Sequence, residues 1–158
     1  MYSVRMPRLL IADDHPLFRL ALAQPLRGVV PDAVVLEAGS LAELQAQLAQ
    51  DADIDVILLD LHMPDRQGLM GLAALRAEHP GVMVAMISAH DDPHTIRRAL
   101  AYGAIAFIPK RSDVEQLRKA LRRVLAGESY LPADLAAQVN ASPASMQDAN
   151  NAARLASR

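Results

Sequence analysis

The sequence predicts an α/β protein in which a parallel sheet carries helices on both faces. Five short apolar segments recur along the chain, at residues 8–12, 33–37, 56–59, 82–87 and 104–108. Their near-continuous hydrophobicity is typical of strands buried on both faces, and segments with helical spacing lie between them. Strands that alternate with helices in this way favour right-handed crossovers and therefore a doubly wound (βα)5 sheet.

Two of the predicted helices are identified by their apolar spacing. Leucines and valines recur every three or four residues, which places them on one helical face. The first set is Leu41, Leu44 and Leu48, and the second is Val114, Leu117, Leu121, Val124 and Leu125. We expect both faces to pack on the sheet.

Helix starts are marked by polar caps and by prolines. The pairs with capping-box spacing are Ser40 with Glu43 and Ser112 with Glu115. Pro16 and Pro93 stand where the first turn of a helix accepts proline. These signals agree with the apolar periodicity.

The pattern weakens after Gly127. Residues 131–139 have the spacing for one or two more helical turns, and from about Ala141 the chain has the Ala, Ser, Asn and Gln composition of a linker. We therefore expect one domain over residues 7–127, followed by a C-terminal extension and linker over residues 128–158.

Composition limits the kind of functional site and the cellular compartment that we expect. The chain has 158 residues and no Cys, which excludes a disulfide framework, a thiolate metal site and a Cys nucleophile, and favours the reducing cytoplasm. No segment has the length of a signal peptide or of a membrane helix. A net charge of −2 provides no overall attraction to nucleic acid or to anionic lipid.

Polar residues stand at the ends of four predicted strands. Asp13 and Asp14 follow the first strand, Asp60 the third, Ser88 the fourth and Lys110 the fifth. The carboxyl ends of parallel strands lie at one edge of a sheet, where doubly wound proteins bind their ligands. Each residue taken alone also fits a helix cap, a turn or a surface charge. Their joint occurrence at successive strand ends favours a site.

The chemistry of that set indicates phosphoryl transfer. Three carboxylates 4 Å apart repel one another by roughly 4 kcal/mol per pair unless a cation or proton intervenes. Oxygen ligands favour Mg²⁺, which takes one or two carboxylates and completes its shell with water and phosphate. A metal, an ammonium group and a hydroxyl around one carboxylate suit phosphoryl transfer, with Asp60 as the nucleophile.

Four sequence blocks resemble the signature motifs of response-regulator receiver domains. They are IADDHPLFR, VILLDLHMPDRQG, MISAHDD and GAIAFIPK, and the resemblance is strongest to the NarL/FixJ type, the receiver part of LuxR-family transcription regulators. It covers about residues 7–127. It implies a flavodoxin-like receiver fold with five parallel strands in the order 2-1-3-4-5.

The resemblance also implies a role for each site residue. Asp60 would receive a phosphoryl group from a sensor histidine kinase. The residues implied to hold Mg²⁺ are Asp13, Asp14, Asp60 and the main-chain carbonyl of His62, and those implied to contact the phosphoryl group are Ser88 and Lys110. Apart from its own phosphorylation and dephosphorylation, such a domain is not an enzyme.

In the family, a switch couples this site to the protein surface. Ser88 and Phe107 match its two positions, although Phe stands where Tyr is commoner, and a plain core Phe is the alternative. The surface expected to respond comprises residues 92–102, the fifth strand and residues 112–127. The resemblance implies a homodimer through this helix 4/strand 5/helix 5 face.

Loop residues near the site carry further hypotheses. Pro64 and Gly68 match the loop that follows the phosphorylated aspartate. His62 and His90 each lie two residues beyond a site residue, and we interpret them as groups that tune the lifetime of the phosphoaspartate. A transition-metal site formed by these two with His15 is the alternative.

Receivers of this type usually continue into a helix-turn-helix domain, so we expect DNA contact only through an output domain that this chain does not contain.

Three other classes of protein are alternatives to this interpretation. A phosphorylation-independent pseudo-receiver is the main alternative. A flavodoxin-like cofactor binder is disfavoured because Asp13 and Asp14 would repel a phosphate. An aspartyl-phosphate hydrolase would carry its nucleophile on the first strand.

Overall fold

The computed structural model describes residues 6–50, 53–63 and 66–141, which alternate between strands and helices. The strands are β1 (Arg8–Ala12), β2 (Val34–Ala38), β3 (Val56–Asp60), β4 (His62–Met63), β5 (Arg66–Gln67), β6 (Met83–Ser88) and β7 (Ala106–Pro109). The helices are α1 (Pro16–Val29), α2 (Leu41–Gln50), α3 (Gly68–Glu78), α4 (Pro93–Ala101), α5 (Val114–Leu125) and α6 (Ala133–Ala141). Pro64 of the predicted loop lies outside the described residues.

The central sheet has five parallel strands in the order β2-β1-β3-β6-β7. The short strands β4 and β5 form a separate antiparallel pair. Counting only the five strands of the main sheet, the predicted order 2-1-3-4-5 and the doubly wound flavodoxin-like class are confirmed. Three of the five predicted strands begin one or two residues later than expected, because the pairing register rather than apolarity decides where a strand begins.

Side chains of each strand alternate between two hydrophobic clusters, one on each face of the sheet. One cluster lies beneath α2, α3 and α4 and contains Leu10, Ile57 and Phe107. The other lies beneath α1 and α5 and contains Leu9 and Leu58. Burial on both faces explains why the strands have continuous apolar sequences.

The helix caps confirm part of the prediction and correct the rest. Pro16 and Pro93 lie in the first turns of α1 and α4, as expected. Ser40 Oγ accepts a hydrogen bond from Glu43 N at 3.1 Å, but the Glu43 carboxylate accepts from Gly39 N rather than from Ser40.

The capping box predicted for Ser112 and Glu115 was wrong by one residue. Asp113 is the cap, since its carboxylate accepts from Gln116 N at 2.8 Å and the Gln116 side chain accepts from Asp113 N at 3.0 Å. Asp and Gln at this spacing satisfy the same backbone donors as the predicted pair. Val114 is consequently the first residue of α5, and its side chain is exposed rather than packed on the sheet.

The segment that follows α5 returns to the edge of the sheet. Phe107 N donates to Tyr130 O at 3.1 Å and Tyr130 N donates to Ile105 O at 3.2 Å, so one residue of this segment pairs with β7. The helix predicted over residues 131–139 is confirmed as α6, and Leu135 is buried in the same cluster as Phe107. The predicted linker falls on residues 142–158, outside the described residues. Among the described helices, none is long and apolar enough to cross a membrane.

Candidate functional site

The carboxyl edge of the sheet gathers the residues that the sequence analysis selected. Asp13 follows β1, Asp60 ends β3, Ser88 ends β6 and Lys110 follows β7. Asp13, Asp60 and Ser88 are buried, because β1, β3 and β6 are the three inner strands of the sheet. The parallel topology therefore brings these side chains to one edge, as expected.

The acidic side chains form one compact cluster. Carboxylate oxygens of Asp13, Asp14 and Asp60, together with a ring nitrogen of His15, all lie within 4.8 Å of one another. The Lys110 ammonium lies 2.8 Å from Asp13 Oδ2 and 3.4 Å from Asp60 Oδ2. Lys110 thus contacts two of the three carboxylates, and its single positive charge does not balance three ionised groups.

Burial and the neighbouring groups affect the protonation of the Asp60 carboxyl. Burial raises the pKa of the Asp60 carboxyl above its ordinary value, and the nearby Asp13 acts in the same direction. The His62 N–H, which donates to Asp60 Oδ1 at 3.1 Å, and Lys110 both oppose this shift in pKa. The ionised form of Asp60 is therefore costly in the protein alone and would be favoured by a further cation.

The donor set fits a hard divalent cation. Asp13 Oδ2 and Asp14 Oδ1 are buried and have no hydrogen-bond partner within the described part of the chain. A nitrogen lies near each of them, Lys110 Nζ at 2.8 Å from the first and His15 Nδ1 at 3.1 Å from the second, but neither contact has hydrogen-bond geometry. Buried carboxylate oxygens that lack a donor are suitable ligands for Mg²⁺.

The two predicted lifetime-tuning histidines lie against each other. The ring centroids of His62 and His90 are 4.5 Å apart, and the rings meet edge to face at 79°. Neither imidazole belongs to the cluster around Asp60 and His15. The backbone N–H groups of both residues do reach the site, because His62 N donates to Asp60 and His90 N donates to Ser88 Oγ at 2.9 Å. The carbonyl of His62 stays a predicted ligand.

Phe107 is fully buried on the α4 face of the sheet. Its cluster also contains Ile96 and Ala99 of α4 and Leu135 of α6. This inward position fits both a core phenylalanine and the predicted switch residue, so the switch role stays a prediction.

Two residues of α1 reach the site and were missed by the sequence analysis. Lys110 Nζ lies 4.7 Å from the centroid of the Phe18 ring, a distance suited to a cation–π contact. Arg19 donates through Nη1 to the main-chain carbonyl of Asp13 and through Nε to Glu37 Oε1 at 2.8 Å. The signal available in the sequence was Pro16, since a helix that starts there places its first turns beside the acidic loop.

Arg111, next to Lys110, joins three segments at the rim of the site. Its guanidinium contacts Asp91 Oδ2 at 2.8 Å, in the loop after β6, and Asp134 Oδ2 at 3.3 Å, in α6. These carboxylates raise the pKa of Arg111. The loops after β6 and β7 are thus connected to α6 through one exposed side chain.

Comparison with known proteins identifies this arrangement. Residues 9–122 match the family described as response regulator receiver domain. The glycerol metabolism activator of Pseudomonas putida is 42% identical over 130 residues, which cover 82% of this chain and 59% of that protein. The chain therefore spans about three fifths of that relative's length.

Solved structures agree with the sequence relatives. The receiver domain of a NarL response regulator from Mycobacterium tuberculosis is 33% identical, with a TM-score of 0.69 over 79% of this chain and 100% of that one. A LuxR-family DNA-binding response regulator from Silicibacter pomeroyi is 35% identical, with a TM-score of 0.72 over 82% of this chain and 99% of that one. The chain belongs to the response regulator receiver domain family, with relatives of the NarL and LuxR type.

Proposed function

We propose that this receiver accepts a phosphoryl group on Asp60 from a sensor histidine kinase in a Mg²⁺-dependent reaction. One observation carries the proposal: the buried Asp60 carboxylate shares a 4.8 Å cluster with Asp13 and Asp14, each of which has a buried oxygen without a hydrogen bond. With all three carboxylates ionised, the single charge of Lys110 offsets only part of their repulsion, so the cluster favours binding of a further cation.

In the proposed reaction, a carboxylate oxygen of Asp60 attacks phosphorus while the bond between phosphorus and the donor nitrogen breaks. The donor imidazole leaves and takes up a proton. Asp13, Asp14, Asp60 and the carbonyl of His62 would hold Mg²⁺, which when bound supplies positive charge to the carboxylates and to the transferring oxygens.

Ser88 and Lys110 are proposed to bind the transferred group. The Ser88 oxygen already accepts a hydrogen bond from His90 N, so its O–H remains available to donate to a phosphoryl oxygen. The Lys110 ammonium, now placed between Asp13 and Asp60, would contact a second phosphoryl oxygen. Preorganised donors of this kind stabilise charge that develops during transfer.

His62 and His90 are proposed to limit how fast water reaches the phosphoaspartate. Their paired rings stand two residues beyond Asp60 and Ser88, whose side chains both accept hydrogen bonds from the histidine backbones. The phosphoryl group should be lost from Asp60 faster in His62→Ala and in His90→Ala. The rate is measured by intact-mass spectrometry at successive times. His94→Ala, in α4, is the matched control. Unchanged rates in both variants would remove this role.

The proposed output is a change in the face that contains α4, β7 and α5, transmitted through Ser88 and Phe107. A homodimer through this face stays a proposal, and α6 would affect it because α6 packs against α4.

The domain organisation is also proposed. We propose that residues 7–127 form the receiver, that residues 128–158 lead towards an output domain, and that any DNA contact belongs to that domain. The predicted cytoplasmic location also stays a prediction.

Intact-mass spectrometry tests the central claim. The chain is incubated with acetyl phosphate with and without Mg²⁺, as wild type and as Asp60→Asn. We expect a Mg²⁺-dependent gain of about 80 Da, one phosphoryl group, that is absent in the variant. If no adduct forms, binding of beryllofluoride would indicate rapid phosphoryl loss, and no binding would indicate a phosphorylation-independent interaction module.

A further inference from the structure

Arg19 connects the acidic loop to the neighbouring strand of the sheet. Its side chain is only 18% exposed, although arginine is usually a surface residue. Nη1 donates to the main-chain carbonyl of Asp13, just beyond β1, and Nε donates to Glu37 Oε1 at 2.8 Å, in β2. The planar guanidinium therefore spans two adjacent strand ends.

The contact with Asp13 completes the anchoring of that residue. Asp13 N donates to Ala38 O at 2.9 Å, and Asp13 Oδ1 accepts from His15 N at 2.7 Å. The remaining polar group of the backbone is the carbonyl, and Arg19 is its donor. The carbonyl belongs to the peptide that joins Asp13 to Asp14, so the guanidinium sets the orientation of the peptide between two proposed metal ligands.

Glu37 offsets the charge of Arg19. A bare guanidinium beside the acidic cluster would repel a divalent cation, but Arg19 forms an ion pair with Glu37. Glu37 is itself held in place, since its main-chain carbonyl accepts from Gln47 Nε2 at 2.9 Å. The arginine can thus orient the acidic loop while adding little net positive charge.

We propose that Arg19 is a positioning residue for the cation site and that Glu37 neutralises the charge of Arg19. Arg19 orients the Asp13–Asp14 peptide, and the Glu37 carboxylate keeps the guanidinium from competing with the cation. This inference rests on the proposed Mg²⁺-dependent function. It concerns how the ligands are held and assigns Arg19 no contact with the phosphoryl group.

Removal of Arg19 separates positioning from charge because the two effects have opposite signs. If Arg19 acted only through its charge, Arg19→Gln would strengthen Mg²⁺ binding. If it positions the ligands, the same variant weakens binding. We expect the dissociation constant for Mg²⁺ to rise about ten-fold, the smaller loss typical when a residue that orients a metal ligand is removed. Arg19→Lys should give a smaller rise, because lysine keeps the charge but lacks the two-pronged geometry.

The experiment is a Mg²⁺ titration of the ¹⁵N-labelled chain, followed through the amide resonances of the acidic loop. Glu37→Gln should weaken binding several-fold at low salt and less at high salt, because it exposes the charge of Arg19. Arg27→Gln, on the exposed side of α1, is the matched control and should leave the constant unchanged. Thermal unfolding of each variant verifies folding, and if Arg19→Gln does not fold, Arg19→Lys and Glu37→Gln decide the question.

The outcomes distinguish this inference from the proposed function. Tighter or unchanged Mg²⁺ binding in Arg19→Gln, with normal binding by wild type, would overturn the role of Arg19 alone. No Mg²⁺ binding by wild type would instead overturn the proposed metal site. Weaker binding in Arg19→Gln with partial recovery in Arg19→Lys would support the positioning role.

Discussion

Replacement of Asp60 by asparagine should stabilise the protein in the absence of Mg²⁺. Asp60 is 1% exposed and lies in the acidic cluster with Asp13 and Asp14. Asparagine has nearly the same shape and can still accept the hydrogen bond that His62 N donates to Oδ1. The substitution therefore removes a charge while leaving the packing almost unchanged.

The size of the effect follows from the distances. Ligand atoms at most 4.8 Å apart repel by at least about 3.5 kcal/mol per carboxylate pair at an effective dielectric near 20. Asp60 takes part in two such pairs, with Asp13 and Asp14, for about 7 kcal/mol in total. Its ion pair with Lys110 at 3.4 Å offsets about 5 kcal/mol on the same scale. The remaining repulsion of about 2 kcal/mol has the same sign as the cost of burial.

We expect Asp60→Asn to raise the free energy of unfolding by about 1–2 kcal/mol, less than this sum because solvent and local relaxation reduce charge effects. For a chain of this length the melting temperature should rise by about 3–6 °C. The measurement is urea and thermal unfolding at pH 7 in EDTA. Addition of Mg²⁺ should stabilise wild type more than the variant and so reduce the difference.

The pH dependence has a definite sign. Burial raises the pKa of Asp60 in the folded state above its unfolded value, so the folded state binds this proton more tightly. Wild type therefore loses stability relative to the variant as pH rises from the unfolded carboxyl pKa of about 3.9 through the folded pKa. The advantage of Asp60→Asn should be complete at neutral pH and disappear below about pH 4.

Exposed Asp32→Asn serves as the control, because Asp32 lies in a turn outside the acidic cluster. It should change the free energy of unfolding by no more than about 0.5 kcal/mol. A variant Asp60→Asn that is equal to or less stable than wild type at pH 7 without Mg²⁺ would refute the reasoning, since attraction to Lys110 would then outweigh both repulsion and burial.

Three further substitutions test other parts of the structure. Lys110→Met leaves two buried carboxylates without their cation and should lower the free energy of unfolding by about 3 kcal/mol, measured by urea unfolding in EDTA. A loss under about 1 kcal/mol would show that Lys110 does not stabilise these carboxylates. Gly68→Ala should lower the free energy of unfolding by more than about 3 kcal/mol or prevent folding, because its Cβ would stand 2.1 Å from a main-chain carbonyl oxygen. Gly81→Ala is the control and should be near neutral in the same assay, because no atom lies within 4 Å of its Cβ. Asp113→Ala should lower the free energy of unfolding in urea by about 1 kcal/mol through loss of the α5 cap, and Ser112→Ala should change it very little. A larger loss in Ser112→Ala than in Asp113→Ala would instead support Ser112 as the cap.

The sheet was predictable because burial on both faces leaves a simple pattern. A strand such as β3 is buried at every position and therefore reads as an unbroken apolar run. Its end was less predictable, since Asp60 is polar yet remains paired with Ile87 of β6. Apolarity indicates that a strand is present, whereas hydrogen-bond register, which involves a second segment of chain, determines its limits.

The site was predictable for a related reason. Once the strands are known to be parallel, Asp13, Asp60 and Lys110 must lie at one edge, whatever the helices do. The support from α1 was not predictable in this way. Arg19 lies near the start of α1, and its contact with the Asp13 carbonyl depends on how α1 packs on the sheet, which the sequence pattern alone does not determine.

The C-terminal helix shows how a local prediction can be correct and still miss a consequence. The sequence predicted helical turns near residues 131–139, but their packing partner depends on Tyr130, whose backbone pairs with the outer edge of β7 and directs α6 towards α4. Leu135 then fills the same buried cluster as Phe107. Because protein interiors are close-packed, a movement of the Phe107 ring would change the packing of the cluster to which Leu135 belongs. A rearrangement of this cluster would therefore affect α6 as well as α4.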